Sequence, residues 1–169
     1  MIQQLNPTQL IFDTLSHKLD DDLPQIRAKA AESLGKIGDR IAVETLINHL
    51  LNETDLETQR TIIKSLGQIG QESVIPHLAP FLADNEPTIR IATATALGQI
   101  GTEKVLSYLI QSLTDQNPKV RTVAAIALGE IGTEATLAEL SQACSDPDDE
   151  VRLSAVDALG KIGYRYALN

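Results

Sequence analysis

Leu97-Gly98-Gln99-Ile100-Gly101 is one of five copies of a single string, LGxIG, and its recurrence decides the fold. The others are Leu34–Gly38, Leu66–Gly70, Leu128–Gly132 and Leu159–Gly163, and successive copies lie 32, 31, 31 and 31 residues apart. Self-similarity at a fixed period of this length marks a repeat architecture in which each unit is one supersecondary element. All ten glycines of the chain lie inside these strings, so glycine is used only where a recurring backbone geometry calls for it. None is left over for a phosphate-binding loop.

Upstream of each string the pattern continues. Thirteen residues before the motif leucine stands an acid, Asp21, Glu53, Asp84, Asp115 or Asp146, and seven before it stands Arg27, Arg90, Arg121 or Arg152. The second unit departs, with Gln59 at the arginine position and Arg60 one place late. Pro24, Pro87 and Pro118 occupy the tenth place before the leucine, where the first turn of a helix tolerates a missing N–H. From there to the leucine, apolar and small residues recur at helical spacing, as in Val120, Ala124, Ala125, Ala127 and Leu128, which predicts a helix of about three turns, here called A. The second glycine of each string, Gly163 included, suits a left-handed stop, and the first suits close approach of neighbouring backbones. A second helical stripe, B, follows the first four strings, as in Val43, Leu46, Ile47 and Leu50. The chain opens on a B-like helix with Leu10, Ile11, Phe12, Leu15 and Leu19 on its apolar side.

No such hairpin can bury its stripe alone, so the units must stack. The expected fold is all-α, a right-handed α-solenoid of about ten helices with period 31 forming one domain over 1–169. Its parts are an opening B helix at 6–19, repeats near 21–51, 53–82, 84–113 and 115–144, and a terminal half-repeat at 146–163.

The unit D-x5-R-x6-L-G-x-I-G followed by an apolar B helix resembles the short HEAT repeat known as the phycobilisome-lyase HEAT-like repeat, over nearly the whole chain. The resemblance implies that B helices line a concave face and A helices an outer wall. It is compatible with scaffolds and adaptors, with bilin lyase subunits, and with factors that handle chromophores or turn over phycobilisomes.

The net charge of −9 and the absence of a basic stripe argue against nucleic acid and anionic membrane surfaces as partners. No run of eighteen apolar residues is present, and Met1 to Asp20 lacks a basic stretch followed by an apolar one, so a cytoplasmic protein is expected. The single Cys144 stands where sister units have a core leucine and reads as a small core residue. The Asp and Arg columns recur in nearly every unit, which suits ladders of hydrogen bonds between loops better than a catalytic pair that need occur once. His17, His49 and His77 have no ligand spacing within a helix, and the His-Glu pairs of a di-iron HEAT hydroxylase are absent, so neither metal nor cofactor is expected.

With the motif leucine as zero, B-helix core positions fall at +9, +12 and +16, which leaves +11, +14 and +15 pointing away from the core. The resulting contact face is Thr45, Asn48, His49, His77, Phe81, Tyr108, Gln111, Glu139 and Gln142, a mix of amides and aromatics with little charge that suits a protein partner. The reading is a non-catalytic protein-binding adaptor. The alternative is an accessory subunit of a bilin lyase or a chromophore-handling chaperone, disfavoured because a bilin's two propionates call for cations that this face lacks. Because the last A helix has no following B helix, Val156 and Leu159 are expected either to lie under Tyr164, Tyr166 and Leu168 folded back or to offer an open end for self-association.

Overall fold

The structure is a computed structural model that describes residues 6–168. Within that range there are ten α-helices and no strand. The A helices are α2 (Pro24–Ile37), α4 (Leu56–Ile69), α6 (Pro87–Ile100), α8 (Pro118–Ile131) and α10 (Asp149–Ala167). The B helices are α1 (Pro7–Lys18), α3 (Ala42–Leu50), α5 (Ile75–Leu78), α7 (Leu106–Ser112) and α9 (Leu137–Ala143). The A helices form one row, each packed most extensively on the next, and every B helix leans more on the A helix after it than on the one before.

The local chemistry explains the boundaries. Proline begins α2, α6 and α8, and side-chain oxygens of Asp55, Asn117 and Asp148 accept first-turn N–H groups of α4, α8 and α10. Gly38, Gly70, Gly101 and Gly132 close the first four A helices in the left-handed region, with φ of 70°, 71°, 68° and 72°. The first glycine of the string does the stacking. A Cβ on Gly67 would lie 2.6 Å from the Cα of Ala96, and one on Gly129 would lie 2.7 Å from the Cα of Ala158, so only glycine lets these helices approach. The core is one apolar cluster of Leu, Ile, Val and Ala running along the stack.

Five expectations are corrected. Gly163 does not stop its helix: α10 runs through it to Ala167. Tyr164 and Tyr166 continue that helix and Leu168 caps its end, all three exposed, and none folds back over Val156. The opening helix α1 has no buried residue, and its Leu10 and Ile11 are each 52% exposed, because no earlier A helix covers them within the described residues. The second B element is α5 flanked by 3-10 turns at Glu72–Val74 and Ala79–Ala83, broken where Pro76 and Pro80 cannot donate to a regular helix. Cys144, expected in the core, is a free thiol and only half-buried.

Candidate functional site

The repeated acids and arginines form a ladder across the loops. Arg121 donates from Nε and Nη2 to both carboxylate oxygens of Asp146, each at 2.7 Å, while its Nη1 donates to the carbonyl of Asp115 at 2.8 Å. Arg90 treats Asp115 the same way at 2.7 and 2.9 Å, and Arg27 treats Glu53 at 2.8 Å twice. These are fork-to-carboxylate pairs, the strongest geometry available to such side chains, and they are mostly shielded from solvent. The guanidinium hydrogen bonds are the largest influence holding the Glu53 and Asp146 carboxyls below the usual range. At Asp115, burial pushes upward, but the hydrogen bond from Arg90 and that from the Asn117 N–H outweigh it. Each carboxylate also caps the next loop, as when Asp146 accepts the N–H of Asp148 at 2.9 Å. With every oxygen engaged, the ladder is a tie between units.

One rung is missing. Gln59 stands where an arginine would reach Asp84, and among the described residues the Asp84 carboxylate accepts only the N–H of Glu86, at 2.8 Å, while its carbonyl takes Nη1 of Arg90 at 2.9 Å. Arg60 pairs instead with Glu57 on its own helix. The irregular unit thus carries both the broken B helix and the broken ladder.

The open ground lies between successive B helices. A groove of about 540 Å³ separates α5 and its 3-10 extension from α7, lined by Pro76, Pro80, Tyr108 and Gln111 among others. The next, of about 380 Å³ between α7 and α9, is lined by Ile110, Leu113, Glu139, Gln142 and Pro147 among others. A third, of about 500 Å³ at the α1–α3 end, holds Asn48 and His49 beside Asp20, Asp22 and Asn52. Six of the nine expected contact residues therefore line three inter-unit grooves: Asn48, His49, Tyr108, Gln111, Glu139 and Gln142. Thr45, His77 and Phe81 line none of the three.

Exposure sorts the nine further. Asn48, His77, Gln111 and Gln142 are exposed, and Thr45, His49, Tyr108 and Glu139 are half-buried. Phe81, expected to project, is half-buried and packs against the core cluster. His49 is tied down, with Nδ1 2.8 Å from the carbonyl of Thr45 and Nε2 3.0 Å from Asp20. Glu139 lines the α7–α9 groove, but its Oε2 is buried and has no hydrogen-bond partner among the described residues.

The rule that chose these positions had an error. The +15 residues His49, Phe81, Ser112 and Ala143 are half-buried or buried, whereas the +10 residues Glu44, Pro76, Ser107 and Ala138 are all exposed. At 100° per residue, +10 lies nearer the middle of the outer side than +15 does, so the signal was in the helical wheel. Among the described residues no group of three or more His, Cys, Asp or Glu is arranged to hold a metal ion, and no helix is long and apolar enough to cross a membrane.

The HEAT-repeat family matches residues 43–116 and 106–169, and the PBS lyase HEAT-like repeat matches 26–52. A search of curated proteins finds no match. Among solved structures, the chain is similar to a subunit in the complex of CpcE and CpcF of phycocyanin lyase from Nostoc sp. PCC7120, at TM-score 0.76 and 23% identity, covering 96% of this chain and 68% of that one. It is also similar to YibA of Escherichia coli at TM-score 0.69 and 25% identity, covering 92% and 61%. An engineered protein gives TM-score 0.66 and 22% identity, covering 89% and 78%. At these identities the likeness to solved structures speaks for the fold, while the family match spans most of the sequence. The chain belongs to the HEAT-repeat family.

Proposed function

We propose that the protein is a non-catalytic adaptor that holds a partner protein along the grooves between its B helices. The observation that carries the reading is the set of three open grooves between B helices, of which the α5–α7 and α7–α9 grooves are lined mainly by uncharged residues that include proline, amides and a tyrosine, and the α1–α3 groove is rich in acids. Such a row suits an extended or helical segment that spans several units, with one contact per unit.

The test is affinity capture with mass spectrometry. The wild type is compared with Asn48→Arg/Gln111→Arg/Gln142→Arg in the grooves and with Lys64→Ser/Ile126→Ser on exposed A-helix positions. A partner held by the wild type and the A-helix variant but lost by the groove variant supports the reading. Equal capture by all three places the contact elsewhere.

A second reading, an accessory subunit of a bilin lyase, draws on the PBS lyase HEAT-like match at 26–52 and on the likeness to the CpcE–CpcF subunit. The grooves do not favour direct pigment binding, because the arginine lining the α1–α3 groove is Arg27, already committed to Glu53. Capture of a phycobiliprotein would promote this reading, and contact would then run through the pigment's protein.

A further inference from the structure

Each A helix ends at a motif glycine, and a cut through the chain after that glycine asks what joins the two sides. The cut after Gly38 is crossed by the Arg27–Glu53 fork, by the Thr58 hydroxyl donating to the carbonyl of Pro24 at 3.0 Å, and by His49 against Asp20. The cut after Gly101 is crossed by the Arg90–Asp115 fork and by Lys104 bridging Glu72. The Arg121–Asp146 fork and Lys161 bridging Glu130 at 2.6 Å cross the cut after Gly132. The cut after Gly70 differs. Among the described residues no side-chain hydrogen bond or ion pair joins 6–70 to 71–168, and the bonds that come nearest, Thr58 to Pro24 and Lys104 to Glu72, each stay on one side.

Two things hold this seam: the chain itself at Gly70–Gln71, and the apolar packing of α4 on α6 around the close approach of Gly67 to Ala96. Apolar contact keeps two helices together without fixing their direction, whereas a two-bond fork fixes both distance and angle. On the B side α3 packs on α4, and α5 with its 3-10 extension packs on α6, so the seam continues between α3 and α5. There the rung from Gln59 to Asp84 is absent, and the facing element is the short, proline-broken α5. We infer that the solenoid bends at this seam, with the Gly67–Ala96 contact as pivot and the B side opening and closing about it. The α1–α3 groove lies wholly in the first block, and the α5–α7 and α7–α9 grooves lie wholly in the second. Bending therefore changes the spacing between the acid-rich groove and the two mainly uncharged ones and leaves each groove intact. That use of the hinge rests on the adaptor reading, but the hinge itself does not.

Pulsed dipolar electron paramagnetic resonance on the free chain, in a Cys144→Ser background, tests the hinge apart from any partner. Spin labels at Asn48→Cys and Gln111→Cys span two units across the seam, and labels at His77→Cys and Gln142→Cys span two units inside the second block; all four positions are exposed. The first pair is expected to give a broad or split distance distribution and the second a single narrow one. Gln59→Arg, which supplies the missing guanidinium, should narrow the first and leave the second alone. Arg90→Gln, which removes a rung inside the second block, should broaden the second. Equal widths in the parent protein overturn the inference. So do unequal widths that neither substitution moves, because the seam would then owe nothing to the ladder.

Discussion

The fourth and fifth copies of the motif, Leu128–Gly132 and Leu159–Gly163, differ in one residue and fold differently. In α8, Gly132 turns left-handed at φ 72° and the helix ends; in α10, Gly163 stays helical and the helix runs on to Ala167. In α8, Leu128 and Ala125 are fully buried and Gly129 is pressed by Ala158; in α10, Val156 is open and Gly160 touches nothing. The motif permits a stop without compelling one. What compels it is the B helix that follows, whose apolar stripe must come back onto the stack. After Gly132 the chain passes through extended Thr133 into a 3-10 turn and then α9, where Leu140 is buried. After Gly163 come Tyr164, Arg165 and Tyr166, with no apolar stripe, and the helix simply continues. Arg165 reaches back to the carbonyls of Glu130 at 2.8 Å and Ile131 at 3.1 Å, capping the C-terminal end of α8.

The contrast breaks most sharply at the stacking glycines. Gly129→Ala forces α8 away from the Ala158 backbone and should destabilise the fold by about 2–3 kcal/mol, the scale of overpacking a tight interior. Gly160→Ala meets open space and should stabilise by about 0.5–1 kcal/mol through helix propensity. Urea unfolding of both reads the difference; equal effects would mean that α10 is covered after all.

Next in size is the ladder. Arg121→Ala leaves Asp146 half-shielded and unpaired and should cost about 2 kcal/mol at neutral pH. The sign with pH follows from the carboxyls of Glu53, Asp115 and Asp146, which are all lowered in the folded state. Their contribution is complete above the unfolded carboxylate range near pH 4 and is lost as pH falls below it, through the depressed folded values. Acid unfolding of Arg121→Ala should therefore show a shallower loss across that window than the wild type, and an unchanged slope would remove the ladder from the account. The smallest effect is a repair: Gln59→Arg should complete the missing rung to Asp84 and gain about 0.5–1 kcal/mol, visible as a raised thermal midpoint. A loss would show that the extra residue ahead of α4 has moved that loop out of reach.

Much of this was legible in the sequence because the repeat tests itself five times. The A helices, the four glycine stops and the arginine–carboxylate ties all follow from columns that share one chemistry. The misreadings fall where a column has no neighbour to act on it, as at Gly163 and at Leu10 and Ile11, or where one unit departs from the rest, as at Pro76 and Pro80. At the candidate site the grooves depend on how adjacent B helices splay, a tertiary quantity with no local signature. The exposure of Pro76 and Ser107 was readable from the helical wheel, but the tethering of His49 to Asp20, across 29 residues, was not.

Hydrogen exchange of the captured complex against the free protein tests the central claim, that partners are held between the B helices, most directly. The account predicts new protection in α3, α7 and α9 and in the 3-10 turn Ala79–Ala83, with the outward positions of α4, α6 and α8 unchanged. Protection confined to those A helices or to α10 would contradict it.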